Sequence, residues 1–327
     1  GDLVPLPFRA LAESETRRFL MEILTPEQQA LFSRQREIDV AYVLAGVGRF
    51  RVNVFTQSRG VGAVFRIIPA RMPTIEELRL PEAVRKLALA GHGLVLIAGP
   101  TGSGKSTTLA AIVHEVNRTS KRHIITVEDP VEFVHEPIEG IVTQRQVGRD
   151  VESFASALRS ALRESPDMLV VGEIRDYETL SLALSAAETG VIVFGTLHTN
   201  SAAKAVDRII DICPEEVQDQ VRGLVSVLLN GVIAQHLCKR ASGDGRMAVS
   251  EVLLQSYAVA NMIRENKVYQ LDALLQSGEL MRGGTQSLDS CIFNYVKEGV
   301  ILAEEGLRVA NSPDVLKRLL AELPDGG

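Results

Sequence analysis

The stretch GPTGSGKST, Gly99 to Thr107, follows directly on the apolar run GLVLIA and leads into TTLAAIVHEVN. It contains G-x-x-x-x-G-K-[ST] between a strand-like run and a helix-like one, and no other feature restricts the chain so much. A loop of this kind must leave a buried strand and open a helix, which asks for an α/β layer. Gly99, Gly102 and Gly104 let backbone N–H groups turn inward around phosphate oxygens. The helix that follows aims its positive end at the same charge. Pro100, Thr101, Ser103 and Thr107 complete the loop, Lys105 can reach terminal phosphates, and the Ser106 hydroxyl can ligate Mg²⁺. The alternative is a glycine-rich turn without a ligand, which leaves the strand before and the helix after without a reason. The pattern implies a bound nucleoside triphosphate and leaves open what its energy is used for.

The rest of the chain falls into two rhythms. SETRRFLMEILTPEQQALF has apolar residues at helical spacing, broken where Pro26 can open a second helix. DVAYVLAG, GRFRVNVFTQS and GVGAVFRIIP then alternate apolar and polar residues between glycines, as strands of an antiparallel sheet do. PARMPTIEELRLP carries three prolines and reads as a linker. From Leu94 compact apolar strands alternate with helices: LVLIA, HIITVED, MLVVGE and VIVFGTLH, with SFASALRSALRE and ETLSLALSAAET between them. Such strands imply a parallel sheet buried on both faces, with ligands beyond the carboxyl ends of its strands. After about Ser201 the chain reads as helical to the end, apart from a turn at ASGDGR. The expected division is a first domain over 1–70, a linker over 71–81, a nucleotide-binding core over 82–240 and a helical region over 241–327.

Hydrolysis needs a group to handle water, support for a metal and positive charge for the transition state. TVEDPVEF ends one strand at Glu128 and Asp129, and LRESPDMLVVGEIRD ends another at Glu173. A single such carboxylate could cap a helix or pair with an arginine. Two at adjoining strand ends beside a phosphate loop favour chemistry.

These motifs resemble those of the secretion ATPase superfamily, which drives type II secretion and type IV pili. LRESPDMLVVGEIRD is similar to the signature L-R-x-x-P-D-x-x-x-x-G-E-x-R-D, TVEDPVEF to the family's Asp box and AAETGVIVFGTLHTNSA to its His box. The resemblance covers nearly the whole chain, GRFRVNVF and MPTIEELRLP included. It implies a RecA-like P-loop ATPase domain, preceded by a PAS-like α+β domain and followed by a helical region. It makes ATP and Mg²⁺ the expected ligands, Glu128 the general base, Glu173 a support for Mg²⁺ through water, and His198 a sensor of the γ-phosphate. It also matches Arg51 and Arg66 to arginines that reach the terminal phosphate from the N-terminal domain. Without the family, His198 reads as a structural histidine and the two arginines as surface or ion-pairing residues. The family's upstream strand with S-D-L-H-L has no counterpart here, so GDLVPLP reads as part of a truncated PAS-like domain.

Composition narrows the choice within and beyond the family. Three scattered cysteines, Cys213, Cys238 and Cys291, cannot make the tetracysteine zinc element of assembly ATPases. They also fit a reducing cytosol. The chain instead resembles the retraction branch, whose A-I-R-N-L-I-R-E-G-K motif is similar to the start of YAVANMIRENKVYQLDALLQSGE. Ala260 stands at the motif's first arginine and Asn266 at its glycine, while Asn261, Ile263, Arg264 and Glu265 are kept. That departure leaves an accessory retraction ATPase open as an alternative, beside an assembly or secretion ATPase. The resemblance further implies a homohexamer at the cytoplasmic side of the inner membrane, partnered by a pilus platform protein and a paralogous retraction ATPase. Leu224 to Leu237, the longest largely apolar region, is too short to span a bilayer, so attachment is expected to be peripheral. A net charge of −6 and 5% aromatic residues, with no Trp, speak against a nucleic-acid translocase. A scaffold that binds nucleotide without hydrolysing it stays open as another class.

Overall fold

In the computed structural model the chain divides into two compact units, Gly1–Arg71 and Met72–Gly327. The structure describes residues 4–68, 71–276 and 284–322. Positions 1–3 of the N-terminal stretch, 69–70 of the linker and 277–279 of the C-terminal motif stretch lie outside the described residues.

The first unit packs α1 (Glu13–Glu22) and α2 (Pro26–Gln35) on an antiparallel sheet of β1 (Glu37–Leu44), β2 (Gly48–Gln57) and β3 (Gly60–Ile68), in the order β1-β2-β3. The break at Pro26 is a capping box: Thr25 Oγ1 accepts from Gln28 N, the Gln28 side chain returns to Thr25 N, and Pro26 takes the first helical position. Alternation along the strands sends Val40, Val52 and Val54 onto Leu20, Leu24 and Phe32.

The second unit is built on a sheet of seven strands, in the order β10-β9-β4-β8-β7-β5-β6. They are β4 (Gly93–Ala98), β5 (His123–Glu128), β6 (Ile141–Gln146), β7 (Met168–Val171), β8 (Ile192–Leu197), β9 (Leu229–Lys239) and β10 (Arg246–Leu254). All neighbours run parallel except β9 and β10. One face, with Leu94, Leu96, Val127 and Leu169, is covered by α5 (Phe154–Ala161), α6 (Tyr177–Glu188), α7 (Ala202–Asp211) and α8 (Glu215–Leu228). The other, with Val95, Ile97, Ile124 and Val170, meets α3 (Glu82–Ala88) and α4 (Lys105–Thr119). This is the doubly covered parallel sheet that the apolar runs imply.

The expectation of helix from Ser201 onward needs correction. Residues 229–239 and 246–254 are strands, and β9 extends the sheet on the far side of β4. The apolar run from Leu224 passes from α8 straight into β9 with no breaker between them, so its hydrophobicity never signals the change of period. Strand β6 also escaped the sequence reading: it is an edge strand paired with β5 alone, polar and half-buried over most of its length. From Tyr257 the described chain is helical, through α9 (Tyr257–Arg264), a 3₁₀ turn at Val268–Gln270, α10 (Leu271–Gln276), α11 (Leu288–Lys297), α12 (Ala303–Leu307) and α13 (Pro313–Ala321). Residues from α11 to α13 share a core with Cys238 of β9 and Met247 and Val249 of β10. Behind α9, Asn266 has φ 58°. Asparagine is the side chain that best tolerates this left-handed conformation after glycine, so the departure from the family's glycine keeps the turn.

Candidate active site

The loop of residues 99–104 leaves β4 at the carboxyl end of the sheet and enters α4 at Lys105. Gly99, Gly102 and Gly104 have φ 151°, 79° and 91°, values that side chains rarely adopt. A Cβ on Gly99 would collide with Gln235 O and Ser103 Oγ, and one on Gly104 would lie 2.7 Å from Gln235 Nε2. Lys105 Nζ donates to Gly99 O at 2.7 Å and Pro100 O at 3.1 Å, and lies 3.4 Å from His198 Nδ1. Burial lowers the Lys105 pKa, and the Glu173 charge opposes that. Ser103 Oγ, packed under Gly99, is buried and has no protein hydrogen-bond partner.

The acidic residues stand at neighbouring strand ends. Glu173 follows β7, and its Oε2 accepts from Arg175 Nη2 at 2.7 Å and lies 3.3 Å from His198 Nε2. Burial works against the Glu173 charge, but Arg175 and His198 outweigh it and hold the carboxyl below its ordinary value. Lys105, His198, Glu173 and Arg175 thus form one contiguous chain of polar groups, spanning the ends of β4, β8 and β7.

Glu128 closes β5, the next strand, and is held by a separate set of hydrogen bonds. Gly172 N donates to Val127 O at 2.7 Å, and a Cβ on Gly172 would lie 3.2 Å from Glu128 Cα. Only glycine lets the backbones of the two acidic strand ends approach so closely. Glu128 Oε1 accepts from Thr126 Oγ1 at 2.7 Å and Gln144 Nε2 at 3.1 Å. Burial pushes the Glu128 pKa up, and these two hydrogen bonds push back. Asp129 lies close enough to Arg175 for its charge to raise the arginine's pKa. In the first unit Arg51 of β2 and Arg66 of β3 are direct cross-strand partners, Arg66 exposed and Arg51 half-buried.

The sequence model of the family described as Type II/IV secretion system protein matches residues 41–298. The chain belongs to that family. The type IV pilus retraction ATPase PilT of Pseudomonas aeruginosa is 46% identical over 314 residues, which are 96% of this chain and 90% of that protein. A twitching motility protein of Neisseria gonorrhoeae is 44% identical over 314 residues, 96% of this chain and 83% of the relative. A crystal structure of the pilus retraction motor PilT with bound ADP matches with a TM-score of 0.84 at 42% identity, over 93% of this chain and 86% of that one. This secretion ATPase therefore shares its α/β architecture and its nucleotide-binding class with the retraction motors.

Gln235 is a residue of this secretion ATPase that the sequence reading passed over. It is fully buried on β9, its Nε2 donates to Ser103 O at 2.7 Å, and its Oε1 accepts from Thr108 Oγ1 at 2.7 Å. It therefore clamps the loop to the first turn of α4. An amide directly after the apolar run VIA, residues 232–234, was the available signal. Gln235→Leu strips both bonds and leaves a buried carbonyl and hydroxyl unsatisfied, at roughly 1–3 kcal/mol each. The expected result is at least a ~10-fold rise in KM for ATP, with a lower melting temperature, measured by phosphate release and thermal denaturation. Unchanged KM would show that the loop keeps its shape without the clamp.

Proposed function

We propose that this ATPase is the hexameric motor that powers type IV pilus retraction, and with it twitching motility, at the cytoplasmic face of the inner membrane. The observation that carries the reading is the polar chain from Lys105 through His198 to Glu173 and Arg175, in a protein whose PilT relatives are retraction ATPases. Among the described residues no helix is long and apolar enough to cross a membrane, so docking on a membrane platform protein is the attachment we propose.

The residues divide the work by their chemistry. Backbone N–H groups of the loop and the Lys105 ammonium hold the triphosphate. The Ser106 hydroxyl and, through water, the Glu173 carboxylate form an oxygen donor set that suits Mg²⁺. When bound, Mg²⁺ neutralises charge on the phosphate oxygens. Glu128 accepts the proton of the attacking water, a role that a buried carboxyl with a raised pKa favours. His198, already bonded to both Lys105 and Glu173, reads the terminal phosphate. Arg51 and Arg66, paired across β2 and β3, deliver positive charge to the transition state when the first unit closes on the nucleotide. Closure and release in turn around the ring convert these contacts into displacement.

Two measurements test the reading. Purified protein should release phosphate from ATP; a protein that binds ATP without turnover would be a scaffold, and strong stimulation by DNA would make it a translocase. Deleting the gene should leave cells with more surface pili that cannot be withdrawn. Loss of all surface pili would make it an assembly motor instead, and retraction at full strength would reduce it to an accessory.

A further inference from the structure

Gln144 lies on β6, directly opposite Thr126 in the parallel register with β5. Its side-chain amide is committed three ways. Nε2 donates to Glu128 Oε1 at 3.1 Å and to Phe133 O at 2.8 Å, while Oε1 accepts from His135 N at 2.8 Å. The last two bonds tie the segment after β5 to β6 and would suffice for a structural brace. The bond to Glu128 adds nothing to that brace. It falls on the same Oε1 that receives the Thr126 hydroxyl at 2.7 Å, so two donors from adjacent strands converge on one oxygen of a buried carboxylate. Two convergent donors fix both where a carboxylate points and how it is turned, and general-base catalysis depends on that orientation.

We propose that Gln144 is a positioning residue for ATP hydrolysis: together with Thr126 it anchors Oε1 and so sets the orientation in which Glu128 meets the attacking water. The inference rests on Glu128 being the general base. It differs from a bracing role in its target: the brace uses Nε2 for Phe133 O and Oε1 for His135 N, whereas positioning needs donors on Glu128 Oε1, from Gln144 and from Thr126.

Thr126→Val separates the two, because that hydroxyl meets Glu128 and takes no part in the brace. Gln144→Glu keeps the length of the side chain and the oxygen that accepts from His135 N, but turns an acceptor toward both Glu128 and Phe133 O. Full-length Gln144→Glu, Gln144→Leu and Thr126→Val are compared with wild type for kcat, KM, binding of a fluorescent non-hydrolysable ATP analogue, and melting temperature. Positioning predicts that Gln144→Glu loses at least ~10-fold in kcat, no less than Gln144→Leu, while KM and analogue binding stay within about twofold. Thr126→Val should lower kcat in the same selective way, and it decides between positioning and bracing. Wild-type kcat in either Gln144→Glu or Thr126→Val overturns the proposal. Glu128→Gln keeps the two layers apart. If that variant turns over normally, the base assignment falls; if it is inactive while Gln144→Glu is normal, only the positioning role falls.

Discussion

Glu128→Gln should abolish steady-state turnover, lowering kcat by about 10²–10⁴-fold, while nucleotide binding stays at the wild-type level. The amide keeps the shape of the side chain and can still accept from Thr126 and Gln144, but it cannot take a proton. The pH dependence supplies a second signature. Burial is the largest influence on Glu128 and raises its pKa above the ordinary value, with the Thr126 and Gln144 hydrogen bonds opposing it. A base works deprotonated, so wild-type kcat should climb as pH rises through that raised pKa and level off above it. The acid limb should therefore lie at higher pH than an ordinary glutamate would give, and it should be missing from the residual rate of Glu128→Gln. Phosphate release across pH 4 to 9 on both proteins checks this. A wild-type limb at or below the ordinary glutamate range, or the same limb in the variant, would assign the proton to another group.

Lys105→Ala should be nearly as severe for a different reason, losing about 10²–10³-fold in kcat/KM with a rise in KM. Among the described residues Nζ is the one side-chain cation bonded into the loop, through Gly99 O and Pro100 O, and it also lies against His198. Removing it takes away both a positive charge beside the loop and the contact between the loop and His198. Lys105→Arg should recover little, because a planar guanidinium cannot replace a compact ammonium between two carbonyls and an imidazole. Binding of the fluorescent ATP analogue, read beside turnover, distinguishes this from Glu128→Gln. Here both should fall together, and wild-type binding in Lys105→Ala would remove the residue from phosphate contact.

The strands β4, β5, β7 and β8 were legible because they are buried on both faces and therefore spell short unbroken apolar runs. The phosphate loop was legible for a local reason, since its glycines, lysine and flanking elements are contiguous in the chain. Glu173 was legible as a carboxylate at a strand end and His198 through the family resemblance, and in the structure His198 lies against both Lys105 and Glu173. The residues that brace these groups were not. Gln235 is 132 positions from Ser103 and Gln144 is 16 from Glu128, so their bonds exist only after the strands have assembled. Arg175 lies within a quoted motif, yet its bond to Glu173 joins residues two apart and comes from the turn after β7, which no periodicity describes. Strands β9 and β10 were missed because a helix and a strand abut at Leu228 and Leu229, and an apolar run reads the same in either state.

Strand β9 is zipped to β4 along one side and to β10 along the other. Inter-strand bonds lie across the strands, so a pull along β9 strains many of them together instead of peeling them off one by one. The C-terminal helices sit on that strand's far half, and the nucleotide loop rises from its neighbour. In the ring we propose, tension along β9 meets a stiff tie-rod before it meets anything soft, and a subunit built this way wastes little of its stroke in stretching itself.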